Sequence, residues 1–131
     1  MTAQIHELLD LEAVPATLAC APALPVRHPR LQSREPVIGS PLHSTACLRG
    51  YRGRWSIRGG RLYLLDIDGC FALLPGEPLF ADWFSGELRA VQGDEVRYVH
   101  GGFASEYRHE RHLTVERGVV CASREVEHAE R

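Results

Sequence analysis

The chain has 131 residues, 44% of them hydrophobic and 24% charged, with a formal net charge of -2. That balance excludes wholesale disorder, collagen and a long coiled coil, and the length makes one domain that buries roughly two thirds of its unfolded surface. With no run of ~18 apolar residues, no membrane-crossing helix is expected.

All 15 basic residues are Arg, and Lys and Asn are absent. The codons for Lys, Asn and Ile are AT-rich, so this bias reads as a GC-rich bacterial genome and not as a nucleic-acid signature. The N-terminal residues lack a basic stretch followed by a long apolar one, so they are not read as a signal peptide, and a cytoplasmic location is expected. Cys20, Cys47, Cys70 and Cys121 contain no CxxC pair. They read as reduced, mostly buried thiols, with no metal and no cofactor.

Taken in order, residues 1–14 suggest a short helix, with Ile5, Leu8, Leu9 and Glu12 at helical spacing. Six prolines between Pro15 and Pro41 then break the chain. Residues 1–44 are read as that helix plus an extended Pro-rich arm, draped on the body by Leu18, Leu24, Val26, Leu31, Val37 and Ile38. Residues 45–124 are read as an antiparallel β domain, and 125–131 as a charged tail that frays from Arg124.

Within the β domain, Thr45 to Ile57 is a long strand, with Gly50 and Gly53 marking bends. Gly59-Gly60 turns it into a second strand, Arg61 to Ile67, because a two-residue hairpin turn needs positive φ at both positions. Leu79 to Phe84 suggests one helical turn ended by Gly86. Gly86–Val91 and Glu95–His100 suggest a hairpin across Gln92-Gly93-Asp94. Glu106–Glu116 alternates, and Arg117-Gly118 turns it into Val119-Val120-Cys121. The expected fold is therefore mainly β, an antiparallel meander or small barrel of about six strands.

The chemistry-bearing residues give three readings. GxSxG, Walker and GxGxxG patterns are absent, so an enzyme is not the first expectation. A binding module is, with Asp82, Trp83, Phe84, Glu106 and Tyr107 as partner contacts. Adjacent Trp and Phe on a short loop are hard to bury together, and an exposed one anchors a protein partner. The alternative is a small-ligand or metal-binding barrel, possibly enzymatic, using His100, His109 and His112 with Asp66 and Asp68. His109 and His112 would share a face on a helix but point to opposite faces on a strand, which weakens a shared metal.

The third reading is a single-stranded nucleic-acid binder through Arg49, Tyr51, Arg52, Arg54 and Trp55, with Arg on phosphate and aromatics on bases. Arg27–Arg61 holds eight Arg against one Glu, whereas residues from Leu62 on hold seven Arg against 13 acids. Pairing of the basic strand with acidic neighbours accounts for that segregation better, so nucleic acid is not the expected partner.

Residues 48–120 resemble a group of small uncharacterised bacterial proteins. The resemblance is carried by Arg49-Gly50-Tyr51, Trp55-Ser56-Ile57, Gly60-Arg61-Leu62-Tyr63-Leu64, the run Phe80-Ala81-Asp82-Trp83-Phe84-Ser85-Gly86-Glu87-Leu88-Arg89, and the run from Tyr98 to Tyr107. The resemblance implies no catalytic residues, since that group has no established activity. Small proteins of this class are often immunity partners, so neutralisation of a toxin is the most concrete form of the binding expectation.

Overall fold

The structure, a computed structural model, describes residues 2–25 and 27–128. Among them are ten strands and no helix. They are β1 (Glu7–Leu11), β2 (Val14–Leu18), β3 (Leu31–Ser33), β4 (Tyr51–Arg58), β5 (Arg61–Gly69), β6 (Phe71–Leu73), β7 (Leu79–Phe80), β8 (Gly86–Arg97), β9 (Glu106–Glu116) and β10 (Val119–Glu127). Seven close into a barrel in the order β10-β9-β8-β2-β1-β4-β5, with β5 meeting β10 again. No helix of the described residues is long and apolar enough to cross a membrane.

The barrel interior is filled. Trp55, Leu18, Leu62, Leu64 and Leu88 are fully buried at its centre, with Leu9, Ile57, Leu113 and Val115 around them. The inward-facing apolar residues recur at period two, as Gly53, Trp55 and Ile57 on β4, Leu62 and Leu64 on β5, and Leu113 and Val115 on β9 show. The segments Gly59-Gly60 and Arg117-Gly118 make the two-residue turns that the sequence suggests, with all four residues at positive φ.

The N-terminal segment corrects the first expectation. Residues 7–18 form an antiparallel hairpin and not a helix, and this hairpin is part of the barrel. It lies between β4, to which β1 runs parallel, and β8, which β2 meets at Thr17 and Leu18. Leu9 and Leu18 enter the core, while Leu8 points the other way. The turn between β1 and β2 is made by Glu12 and Ala13, both at positive φ (46° and 68°). Neither residue type advertises such a turn. The Glu12 carboxylate accepts the N–H groups of Gly59 and Gly60, and the Glu12 N–H bonds Ile57 O at 3.0 Å.

The segment after β2 is less of an arm than the prolines suggest. Pro22 and Pro25 are buried, and Leu24 and Leu31 pack on the core. Val37 and Ile38 do the opposite of draping, at 69% and 90% exposed. Val26 lies outside the described residues.

Three further expectations change. Leu79–Phe84 is not one helical turn throughout: Leu79 and Phe80 pair with β5, and a single turn follows at Ala81–Phe84, closed by Phe84 N–H to Ala81 O at 3.1 Å. Gly86–Arg97 is one continuous strand along β9, and Gly93, at φ 80°, occupies a bulge and not a hairpin tip. Lastly, β10 stays paired with β9 through Glu127, so the chain does not fray at Arg124; residues 129–131 of the expected tail lie outside the described residues.

The barrel closes at one end only. β10 meets β5 at a single residue pair, Val119 with Arg61, and β10 then runs past the β4–β5 turn with no strand partner on that side among the described residues. Residues 121–127 are exposed except for Val126, which is half-buried.

A charge sits inside the barrel. Glu7 is fully buried; one carboxylate oxygen accepts from Arg49 (3.2 and 2.8 Å) and from Gly53 N (2.9 Å), the other from Trp55 Nε1 (3.1 Å). A Cβ on Gly53 would lie 2.6 Å from Trp55 Nε1 and 2.7 Å from Glu7 Oε1. Gly53→Ala should therefore destabilise the protein by about 3 kcal/mol, through overpacking and loss of a buried charge's partners, read as a fall in the urea midpoint. Ala13→Gly should raise stability by about 1 kcal/mol by relieving the left-handed backbone there.

Candidate functional site

The far end of the barrel, where β8, β9 and β10 extend beyond β5, gathers a connected cluster of ionisable groups. Its hub is Glu110 on β9. Arg89 on β8 grips both carboxylate oxygens, at 2.8 and 2.6 Å. The Tyr107 N–H adds a bond at 3.2 Å, His112 Nε2 lies at 3.0 Å and His128 Nε2 at 3.2 Å. Alternation puts Glu110 on the outer face of β9, where the sequence suggests a solvated residue. The 98–105 segment covers it: Arg89 also donates to the carbonyls of Phe103 and Ser105, and Ser105 Oγ holds Val99.

Burial pushes the Glu110 carboxyl up, but the bonds from Arg89, His112 and the Tyr107 N–H outweigh it and hold the group at about 2. Arg89 is correspondingly raised, first by its bond to Glu110 and against the cost of its own burial.

A second chain of side chains crosses the same end. Thr17 Oγ1 lies 2.9 Å from His6 Nδ1, and His6 Nε2 lies 3.3 Å from the Tyr107 hydroxyl, which donates to Glu95 at 3.3 Å. Because a carboxylate only accepts, the Tyr107 proton goes to Glu95 and the phenol oxygen accepts from His6 Nε2–H. That leaves Nδ1 to accept from Thr17. Burial lowers the His6 pKa, and the charges of Arg89 and Arg49 lower it further, so the neutral ring this direction needs is favoured. The same three links tie β2, β9 and β8 to the segment before β1.

The residues singled out from the sequence are dispersed. Asp82 is exposed, but Trp83 and Phe84 are half-buried and pack on the core. The Trp83 indole N–H bonds Ala23 O at 2.7 Å, and its ring lies 6.4 Å from that of Trp55. Gly86, just after this turn, pairs with Val115, so Tyr107 is eight residues further along β9, about 27 Å away at strand rise. Asp82–Phe84 and Glu106–Tyr107 thus lie at opposite ends of the barrel.

His109 and His112 occupy opposite faces of β9, with His109 toward Glu127 (3.7 Å) and His112 on Glu110. His100 bonds the Tyr98 hydroxyl at 2.8 Å. Asp66 and Asp68 lie across from Arg54 and Arg52 on β4. From the closing pair, Asp66 is five residues one way along β5, and Arg124, the partner of His112, is five residues the other way along β10. The separation is roughly 30 Å, so one site does not contain both the carboxylates and the histidines. Among the described residues no group of three His, Cys, Asp or Glu is placed to hold one metal ion. Of the basic strand, Arg49 is committed to Glu7 and Trp55 is fully buried, which removes its strongest stacking platform.

What the sequence reading missed is a surface. The irregular segment 34–48 exposes Val37, Ile38 and Leu48, the last at 75%. Two shallow depressions run along it, one beside Val37 and one beside Leu48, and share His43 and Gly50 as lining residues. Turn bonds set its shape: Ser40 N to Val37 O (3.1 Å), His43 N to Ser40 O (2.9 Å) and Cys47 N to Ser44 O (3.1 Å). Gln4 anchors it at both Thr45 O and Leu48 N. The sequence carries its signal as apolar side chains among prolines, which read equally well as core contacts.

The chain matches no protein-family profile, no curated protein and no solved structure.

Glu110 gives the fold's stability an acid dependence. Its folded value lies below the ordinary 4.5, so it contributes stability above that pH and loses the contribution as pH falls from about 4.5 through about 2. The contribution is on the order of 3 kcal/mol. Urea titrations across that window should show the loss in the wild type. Glu110→Gln should be less stable at pH 7 by about the same amount, with a flatter acid limb.

Proposed function

We propose that this chain is a protein-binding module acting by surface complementarity, and that its partner meets the 34–48 segment. One observation carries the reading: Ile38 is 90% exposed on a segment whose backbone is already fixed by turns and by Gln4. A large apolar side chain held out in water by a preorganised loop gains hydrophobic energy on docking and gives up little conformational entropy. Val37 and Leu48 extend the patch on either side of His43 and Gly50. Trp83 and Phe84 do not compete for this role, because they are already packed on the core.

Within this class, the form we favour is an inhibitor of the immunity type, which neutralises a toxin by seating the loop in its cleft. A rigid protruding segment suits a concave site, as protease inhibitors illustrate by binding tightly through interfaces of ordinary size.

The test compares the tagged protein with Ile38→Asp/Leu48→Asp in capture from its native cells, with the complex weighed by native mass spectrometry. The wild type should retain a stoichiometric protein partner. The double variant should lose it, by at least a hundredfold in affinity, while its thermal midpoint stays unchanged. Capture that survives the double substitution, or a wild-type chain that retains no partner, would sink the reading.

A further inference from the structure

We propose that the free edge of β10 is a strand-addition site for an extended segment of a partner protein carrying basic side chains at alternate positions. The proposal rests on the protein-binding reading above but uses a different surface and a different mode of contact.

The edge is real in hydrogen-bonding terms. Among the described residues the one ladder pair between β10 and β5 is Val119 with Arg61, flanked by the bonds from Val120 N to Gly60 O and from Leu62 N to Gly118 O, both 2.8 Å. Beyond that point the β4–β5 hairpin has already turned back. His128 N donates to Arg108 O at 3.1 Å, which fixes the parity of the β9–β10 ladder. Residues 122, 124 and 126 therefore bond toward β9, and Ser123, Glu125 and Glu127 direct their N–H and C=O groups outward. A strand's worth of donors and acceptors is left for an incoming chain.

The same three residues set the chemistry of the occupant. Ser123, Glu125 and Glu127 share one face, and the two glutamate side chains are 71% and 78% exposed. Arg111 and His109 take up part of their charge from the β9 side. The side toward the free edge has no such neighbour strand. An added strand presents its own alternate residues directly opposite, where opposite charges attract and like charges repel. Lysine or arginine at every second position fits.

A second copy of this chain fits poorly. Antiparallel pairing of two identical edges about a two-fold axis must centre on a residue, so that side chains on one face stay opposite one another. The register that uses all of 121–127 centres on Arg124 and sets two guanidinium groups face to face. Centring on Glu125 opposes two carboxylates, and centring on Val126 opposes Glu125 to Glu127 twice. The register centred on Ser123 opposes no like charges but spans only 121–125, so every two-fold register that engages Glu127 sets like charges against each other, and the full edge is open to a basic stranger.

The probe is a fluorescent, acetylated eight-residue peptide alternating Lys and Val, with a Glu–Val peptide as its counterpart, each titrated into the full chain. The Lys peptide should bind and slow amide hydrogen exchange at Ser123, Glu125 and Glu127. Ser123→Pro deletes one outward N–H and no β9 bond, and should weaken binding at least tenfold. Glu125→Lys/Glu127→Lys, which keeps the backbone and serves if the proline variant fails to fold, should reverse the preference toward the Glu peptide.

The proposal is overturned if the Lys peptide protects none of the three amides, or if both peptides bind the wild type equally. It is also overturned if light scattering shows a wild-type dimer that Ser123→Pro dissociates, since the occupant is then a second copy. Ile38→Asp should leave peptide binding unchanged, so failure of the edge and failure of the loop are read in separate experiments.

Discussion

A buried carboxylate organises this barrel. Glu7 has no contact with water, and a lone charge in that position would cost several kcal/mol. The cost is met because three partners converge from a different part of the chain: Arg49, the Gly53 N–H and the Trp55 indole N–H. None of the three comes from the hairpin that carries Glu7. The ion pair therefore fixes which strand the N-terminal hairpin lies against and the level at which it sits. An apolar residue at position 7 would leave the Gly53 amide and the indole N–H without acceptors. The bare backbone at Gly53 makes room for the carboxylate, and Trp55 fills the centre of the core beside it.

Around this centre the two ends of the molecule differ in kind. Near the β5–β10 contact the wall is short and plugged by Trp83 and Phe84, which is why these aromatic residues are covered. At the far end the walls overshoot, and polar contacts do the work of packing. Arg89 and Glu110 hold the 98–105 segment against the outer face, while Thr17, His6, Tyr107 and Glu95 lace three strands together. Side chains that look like catalytic parts when read one by one are here cross-braces for a sheet with little core beneath it.

The sequence made the β class, the Gly59-Gly60 and Arg117-Gly118 turns and the alternation of β9 legible, because each rests on local chemistry. Glycine supplies positive φ, and a period of two marks a half-covered strand. The N-terminal hairpin was not legible. Its turn uses Glu12 and Ala13, and its inward charge at Glu7 breaks the apolar pattern of the strand, so Ile5, Leu8, Leu9 and Glu12 fit a helix as well. Gly93 misled for a related reason, since one glycine at positive φ serves a bulge as readily as a hairpin. The polar hub depends on Arg89 and Glu110, 21 residues apart and joined only by strand pairing. Burial of Glu110 depends on a loop whose path no local pattern announces. The exposed loop at Val37 and Ile38 failed in the other direction, because apolar composition marks a contact without saying whose.

The insertion of the first hairpin between β4 and β8 also sets a timetable. Thr17 pairs with Val91, so β2 waits for about 70 further residues to leave the ribosome before one flank of the barrel exists. At ~5–20 residues per second that is several seconds. Until β4 emerges, β1 and β2 can pair only with each other, and the Glu7 carboxylate stays in water until Arg49 and Trp55 arrive; from then on β1 has its β4 neighbour while the β2 flank still waits. The nascent chain thus carries its opening hairpin first as a detached ribbon and then as a sheet edge on β4, and the barrel wall is completed on its β2 side last.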